Sequence, residues 1–242
     1  MTDGLVERLG LDSKELISVV GAGGKSTLVA TLAAEYATTG HKVVLTTTTK
    51  MGVDQLTEPK CLTTDLNVIE ARLVAGKPLF VAAGVNGTKV IGIEPEFVDQ
   101  LFTDSTADVV VVEADGARRK RFKAPADHEP VIPSRSTTVI VVAGASAIGE
   151  PIADVAHRPE IVAGLAMVDV LRPLTPAIAA RVLLHRDGGR KSVPAKARVH
   201  YLITANAETA PAARTVAAEL RELSPEVSVA VWSLRASRRA EY

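Results

Sequence analysis

The chain has 242 residues, 47% hydrophobic and 23% charged, long and apolar enough for one substantial α/β core, read here as a single domain over 1–242. Its 28 basic and 28 acidic residues cancel, so no global field recruits nucleic acid or an acidic membrane surface, and 3% aromatics are too few for base-stacking platforms. The single cysteine, Cys61, excludes an internal disulfide framework and a Cys-rich metal site. No apolar run is long enough to span a membrane, and the first residues lack a basic leader and an apolar core, so the expectation is a cytoplasmic protein without membrane partners.

The first element is an apolar strand, Ile17-Ser18-Val19-Val20, which breaks into Gly21-Ala22-Gly23-Gly24 and then Lys25-Ser26-Thr27 at a helix start. This reads as a phosphate-binding loop. Glycines let backbone N–H groups curl around an anion, the helix presents unpaired N–H groups at its positive end, Lys25 reaches the outer phosphates and Ser26 ligates Mg2+. The usual spacing requires glycine at Val19; the shorter Gly21-x-x-Gly24-Lys25-Ser26 form occurs in nucleotide-dependent ligases of the Mur type. Two alternatives use the same residues. In a dinucleotide fingerprint Gly21 and Gly23 fit the first two positions, but the third falls on Ser26 and the second strand ends without an acidic residue. A tight turn with no ligand needs the glycines alone.

The pattern then alternates. Apolar residues at Leu28, Val29, Leu32, Ala33 and Tyr36 predict a helix from Ser26 to Ala37, stopped near Gly40. A strand from His41 to Thr47 leads into Thr46-Thr47-Thr48-Thr49-Lys50, where Thr48 offers a metal ligand and Lys50 a counter-charge for phosphate; threonine also suits a strand edge for its shape alone. Leu66 to Val74 reads as a helix. Pro78 to Ala83 and Thr88 to Ile93 read as two strands joined through Asn86-Gly87, a β-hairpin insertion over 78–93 beside the main sheet. Pro95 to Phe102 reads as a short helix.

Val109-Val110-Val111-Val112-Glu113 is the continuous apolar run of a strand buried on both faces. If the extended conformation continues, Glu113 and Asp115 point to one side, bringing two carboxylates together at the strand end. Asp115 is assigned to magnesium, and Glu113 to magnesium or to the attacking water; Asp115-Gly116 as plain turn chemistry is the alternative. A further strand covers Thr138 to Ala143, helices Pro159 to Met167 and Pro176 to Leu184, a strand Arg198 to Ile203, a helix Ala210 to Leu223 and a strand Val227 to Trp232. Strands alternating with helices predict an α/β, P-loop NTPase-like fold with a mostly parallel sheet and helices on both faces. Asn206 follows a late strand where guanine-specific proteins carry Asn-Lys-x-Asp, but Ala207 replaces the lysine, so ATP and GTP both stay open. Residues 235–242 form a polar tail without an assignable role, and nothing in the sequence sets the oligomeric state.

Arg118-Arg119-Lys120-Arg121 precedes a proline-bounded loop ending at Pro133. The basic run can hold a phosphate-bearing partner or be a solvated loop, and His128 or His157 can carry a proton near neutral pH. Five strings in order, Val19 to Thr27, Thr46 to Met51, Glu113 to Ala117, Lys123 to Pro133 and His157 to Glu160, resemble the selenium-dependent hydroxylase accessory protein family, YqeC. The resemblance covers most of 16 to about 165. It implies a P-loop nucleotide-binding protein associated with maturation of selenium-dependent molybdenum hydroxylases, with the hydroxylase or its pterin cofactor as partner. It also adds weight to Lys123, His128, His157 and Arg158 as second-substrate residues. The leading expectation is a Mg2+-dependent nucleoside triphosphatase in which Lys25, Lys50, Glu113 and Asp115 do the chemistry. A phosphotransferase acting on a small molecule and a nucleotide-gated module or chaperone are the alternatives.

Overall fold

A computed structural model describes residues 4–233. In chain order the strands are β1 (Glu15–Gly21), β2 (Val43–Thr47), β3 (Met51–Gly52), β4 (Lys60–Leu62), β5 (Leu79–Ala82), β6 (Gly84–Asn86), β7 (Lys89–Ile91), β8 (Val109–Glu113), β9 (Phe122–Lys123), β10 (Thr138–Gly144), β11 (Ala156–His157), β12 (Arg198–Ala205) and β13 (Ser228–Ser233). The helices are α1 (Leu5–Arg8), α2 (Lys25–Thr38), α3 (Leu66–Glu70), α4 (Pro95–Asp104), α5 (Ile152–Val155), α6 (Pro159–Ala166), α7 (Pro176–Leu184) and α8 (Ala210–Leu223).

Eight strands form one sheet in the order β13-β12-β10-β1-β8-β2-β5-β4, with every pairing parallel. A parallel sheet needs cover on both faces, and Val109 to Val112 are fully buried accordingly. Side chains alternate along β1: Ile17 and Val19 pack with Leu28, Leu32 and Tyr36 of α2, while Leu16 and Val20 join the cluster that holds Ile178 and Val182 of α7 and Val216 and Leu220 of α8. The result is the expected α/β architecture with a parallel sheet between helical layers.

The expected hairpin is smaller than the sequence suggested. Residues 79–82 are a buried parallel strand of the main sheet beside β2, and the hairpin is β6 with β7, which β3 extends to three antiparallel strands. Leu79 to Ala82 are buried, as a strand covered on both faces must be, whereas Val85 and Ile91 are partly exposed. The helix expected to Val74 stops at Glu70, and the predicted tail 235–242 lies outside the described residues. Among the described residues no helix is long and apolar enough to cross a membrane.

Candidate functional site

β1 and β8 are neighbours with Val19 opposite Glu113, so the glycine turn leaving β1 meets the acidic turn leaving β8. The chain leaves β1 over one face toward β2, and its crossovers after β5 run over the other face toward β13. The carboxyl end of β1 is thus a topological switch point, the place where open α/β sheets bind ligands.

The glycine loop is shaped by close backbone approaches. Gly21 has φ +97° and a Cβ there would lie 2.2 Å from the Val142 carbonyl oxygen; Gly23 has φ +89° and its Cβ would lie 2.5 Å from the Gly144 nitrogen. Ala22 N–H donates to Val142 O (2.9 Å), Thr204 Oγ1 donates to Gly23 O (2.5 Å), and Gly144 N–H donates to Arg121 O (2.9 Å). The loop is clamped to the ends of β10 and β12. Gly24 at φ +114° precedes α2 without a side-chain cap, leaving first-turn N–H groups open to a ligand. Gly23→Ala is expected to lower stability by about 1–3 kcal/mol through overpacking and to cost a further ~1–2 kcal/mol of left-handed strain, read by urea unfolding.

A ladder of charges runs out from this loop. Lys25, 4% exposed, donates from Nζ to Gly21 O (2.7 Å) and lies 3.0 Å from Asp115 Oδ1 and 3.7 Å from Glu113 Oε1. Asp115 Oδ2 accepts from Gly21 N–H (3.0 Å) and pairs with Lys123 Nζ (2.9 Å); Oδ1, buried, receives no well-aligned hydrogen bond. Lys123 also donates to Gly116 O (2.7 Å) and Glu129 Oε2 (2.8 Å), and Arg158 Nη1 donates to that same Oε2 (2.7 Å). Burial pushes the Glu129 pKa up, but the hydrogen bonds and charges of Arg158 and Lys123 outweigh it and bring it to about 2. Each buried charge has an opposite partner, the condition under which such groups are tolerated.

Ser26, exposed at the start of α2, donates to Glu113 Oε2 (3.0 Å) and accepts from Gln55 Nε2 (3.2 Å). The structure therefore sets Ser26 against Glu113, while Asp115, first assigned to magnesium, is enclosed by Lys25 and Lys123. Thr48, the other expected metal ligand, turns its hydroxyl to Val131 O (2.7 Å), Thr46 donates to Val81 O (2.8 Å) and Thr47 to Glu113 O (2.9 Å). These hydroxyls tie strand ends together. Lys50 is exposed and pairs with no carboxylate among the described residues. Asn206 Oδ1 accepts from Thr209 N–H and Oγ1 (2.9 Å each), so its carbonyl oxygen organises the entry to α8.

The second-substrate group divides. Lys123 is buried and saturated by carboxylates and a carbonyl, and His128 is exposed with no hydrogen bond among the described residues. His157 and Arg158 are half-buried and adjacent, with Arg158 Nη1 3.4 Å from His157 Nδ1. Thr204, Gln55, Gly144 and Glu129 went unread in the sequence. Only Glu129 had a signal there, its place in the 123–133 string.

The YqeC protein family model matches residues 17–160 of this chain. The chain belongs to the YqeC family. A relative from Escherichia coli (strain K12), described as "Uncharacterized protein YqeC", is 32% identical over 203 residues, spanning 82% of this chain and 79% of that protein. Among solved structures, chloroplast FtsY from Physcomitrella patens aligns at TM-score 0.45 and 14% identity, covering 91% of this chain and 59% of that one. The family match ends at Glu160, so it takes in the glycine loop, both acidic residues and the whole ladder from Asp115 to Arg158.

Proposed function

We propose that this YqeC-family chain binds a magnesium nucleoside triphosphate, ATP or GTP, with its phosphates in the turn from Gly21 to Thr27. The observation that carries the reading is Lys25 with Asp115: a buried ammonium at the mouth of an uncapped helix, held on a carboxylate and a carbonyl that an arriving phosphate would replace. The donor set suits magnesium. Ser26 Oγ and Glu113 supply two hard oxygens 3.0 Å apart, and a magnesium ion takes its remaining ligands from phosphates and water. Bound there, it would neutralise charge on the β- and γ-phosphates. Loop amides orient the triphosphate, Lys25 turns from Asp115 to the outer phosphates, and Asp115 keeps the Gly21 amide and Lys123 in place.

In a family whose resemblance points to maturation of selenium-dependent molybdenum hydroxylases, this nucleotide cycle is proposed to serve an accessory step with the hydroxylase or its pterin cofactor. A second reading, a nucleotide-gated module with little turnover, draws on one observation. Asp115 is committed to Lys25, Lys123 and the Gly21 amide and Glu113 Oε2 to Ser26, which leaves a single carboxylate oxygen, Glu113 Oε1, to orient an attacking water. Phosphate release from Mg·ATP and Mg·GTP separates the two. Glu113→Gln is expected to raise the magnesium requirement for nucleotide binding by about tenfold or more, the loss of one charged ligand. An unchanged requirement would remove Glu113 from the metal site, and release no faster than the uncatalysed background in the wild type would favour the module.

A further inference from the structure

Gln55 Nε2 donates to Ser26 Oγ (3.2 Å), and Gln55 Oε1 accepts from the Gly52 N–H (3.1 Å). Both ends of an exposed carboxamide are thus held, where a solvated glutamine would keep its rotamer freedom. The Gly52 amide can only donate, so Oε1 faces it and an Nε2–H faces the serine. Ser26 is used twice in consequence. A carboxylate only accepts, so the hydroxyl proton goes to Glu113 Oε2 (3.0 Å), and one lone pair of Oγ goes to Gln55. The lone pair that remains is the one a metal ion would take.

The small antiparallel sheet brings the glutamine to this place. Met51 and Gly52 pair with Val90 and Lys89 of β7, and Val53 N–H donates to Thr88 O (3.2 Å). The sheet is pressed onto the turn after β2: a Cβ on Gly92 would lie 2.7 Å from the Thr48 carbonyl carbon, and Ile93 N–H donates to Thr47 O (2.8 Å). Met51 and Leu56 flank the turn that carries Gln55, and both pack on the cluster that contains Leu28 and Val29 of α2. The turn is therefore anchored at each end on the same core as α2, and Gln55 reaches across to the first turn of that helix.

We propose that Gln55 is a positioning residue of the magnesium site, fixing the Ser26 hydroxyl with its proton on Glu113 and a lone pair free for the ion. The proposal rests on the nucleotide reading above. Groups that orient a metal ligand without touching the metal change metal affinity by about 10–100-fold when removed. A fluorescent nucleotide is titrated at a series of magnesium concentrations, and after chelation, into wild type, Gln55→Ala, Ser26→Ala, the double variant and Arg119→Ala. Arg119 Nη2 pairs with Asp54 Oδ2 (3.2 Å) at the surface of the same turn, so its loss perturbs the turn without touching the carboxamide. Gln55→Ala is expected to raise the magnesium concentration for half-maximal binding about tenfold while metal-free affinity stays that of the wild type. Arg119→Ala is expected to leave the requirement unchanged. Once Ser26 is alanine, Gln55→Ala is expected to add nothing, because the bond it removes is already gone. An unchanged requirement in Gln55→Ala, an equal rise in Arg119→Ala, additive effects in the double variant, or an equal loss of metal-free affinity would each overturn the proposal and leave the nucleotide reading standing. Absence of saturable nucleotide binding by the wild type would overturn both.

Discussion

Replacing Lys123 by alanine is expected to destabilise the fold by about 3–5 kcal/mol at neutral pH, because it strips a shared counter-charge from two carboxylates at once. The Lys123 side chain is 2% exposed and pairs with Asp115 at 2.9 Å and Glu129 at 2.8 Å. Lys25 and Arg158 remain as partners, which sets the loss toward the lower end of that range. The effect has a pH signature. Glu129 has its pKa lowered from 4.5 to about 2 in the fold, so its contribution is complete above pH 4.5 and is lost as pH falls toward 2. That contribution is on the order of 3 kcal/mol in the wild type. Lys123→Ala removes part of the cause of the depressed pKa, so the variant is expected to lose less stability than the wild type between pH 4.5 and 2. Urea unfolding followed by circular dichroism at pH 7 and pH 3 measures both. A deficit under about 1 kcal/mol at pH 7, the range of an exposed pair, would mean that the ladder is not the buried structure described.

Lys25→Ala carries the second large effect, on ligand and not on fold. The lysine makes one hydrogen bond to Gly21 O and lies beside Asp115, and Asp115 keeps the Gly21 amide and Lys123 without it. Stability is therefore expected to fall by less than in Lys123→Ala. Nucleotide affinity is expected to fall by about 100-fold or more, since a charged hydrogen bond to phosphate is worth ~1.5–3 kcal/mol and Lys25 would make more than one. Displacement of a fluorescent nucleotide analogue reads the affinity. Wild-type affinity in the variant would contradict the placement of phosphates at this loop.

Much of this site is legible in the sequence because its signals are local. Gly21 and Gly23 take left-handed backbone within the turn, at φ +97° and +89°, and the run Val109 to Val112 announces a strand covered on both faces. Other features depend on what lies across the fold. Glu113 and Asp115 do come together, both beside Lys25 Nζ, but β8 ends at Glu113 and the turn gives the Gly21 amide to Asp115. Which carboxylate meets Ser26 is decided by that turn, not by alternation. Lys123 looks like one more cation in a basic stretch, and only its burial at β9 between Asp115 and Glu129 makes it a structural counter-ion. Residues 79–82 misled for a related reason: a short apolar run followed by Gly84 and Asn86-Gly87 looks like a hairpin arm, and nothing nearby states that β2 is its partner. Short strands take their partners from tertiary packing, which periodicity does not encode.

The nucleotide claim is met most directly by calorimetric titration of the wild-type chain with Mg·ATP and with Mg·GTP, each repeated after chelation of the metal. The expected result is saturable one-to-one binding of at least one of the two, weakened when magnesium is removed; the absence of saturable heat with both would contradict it.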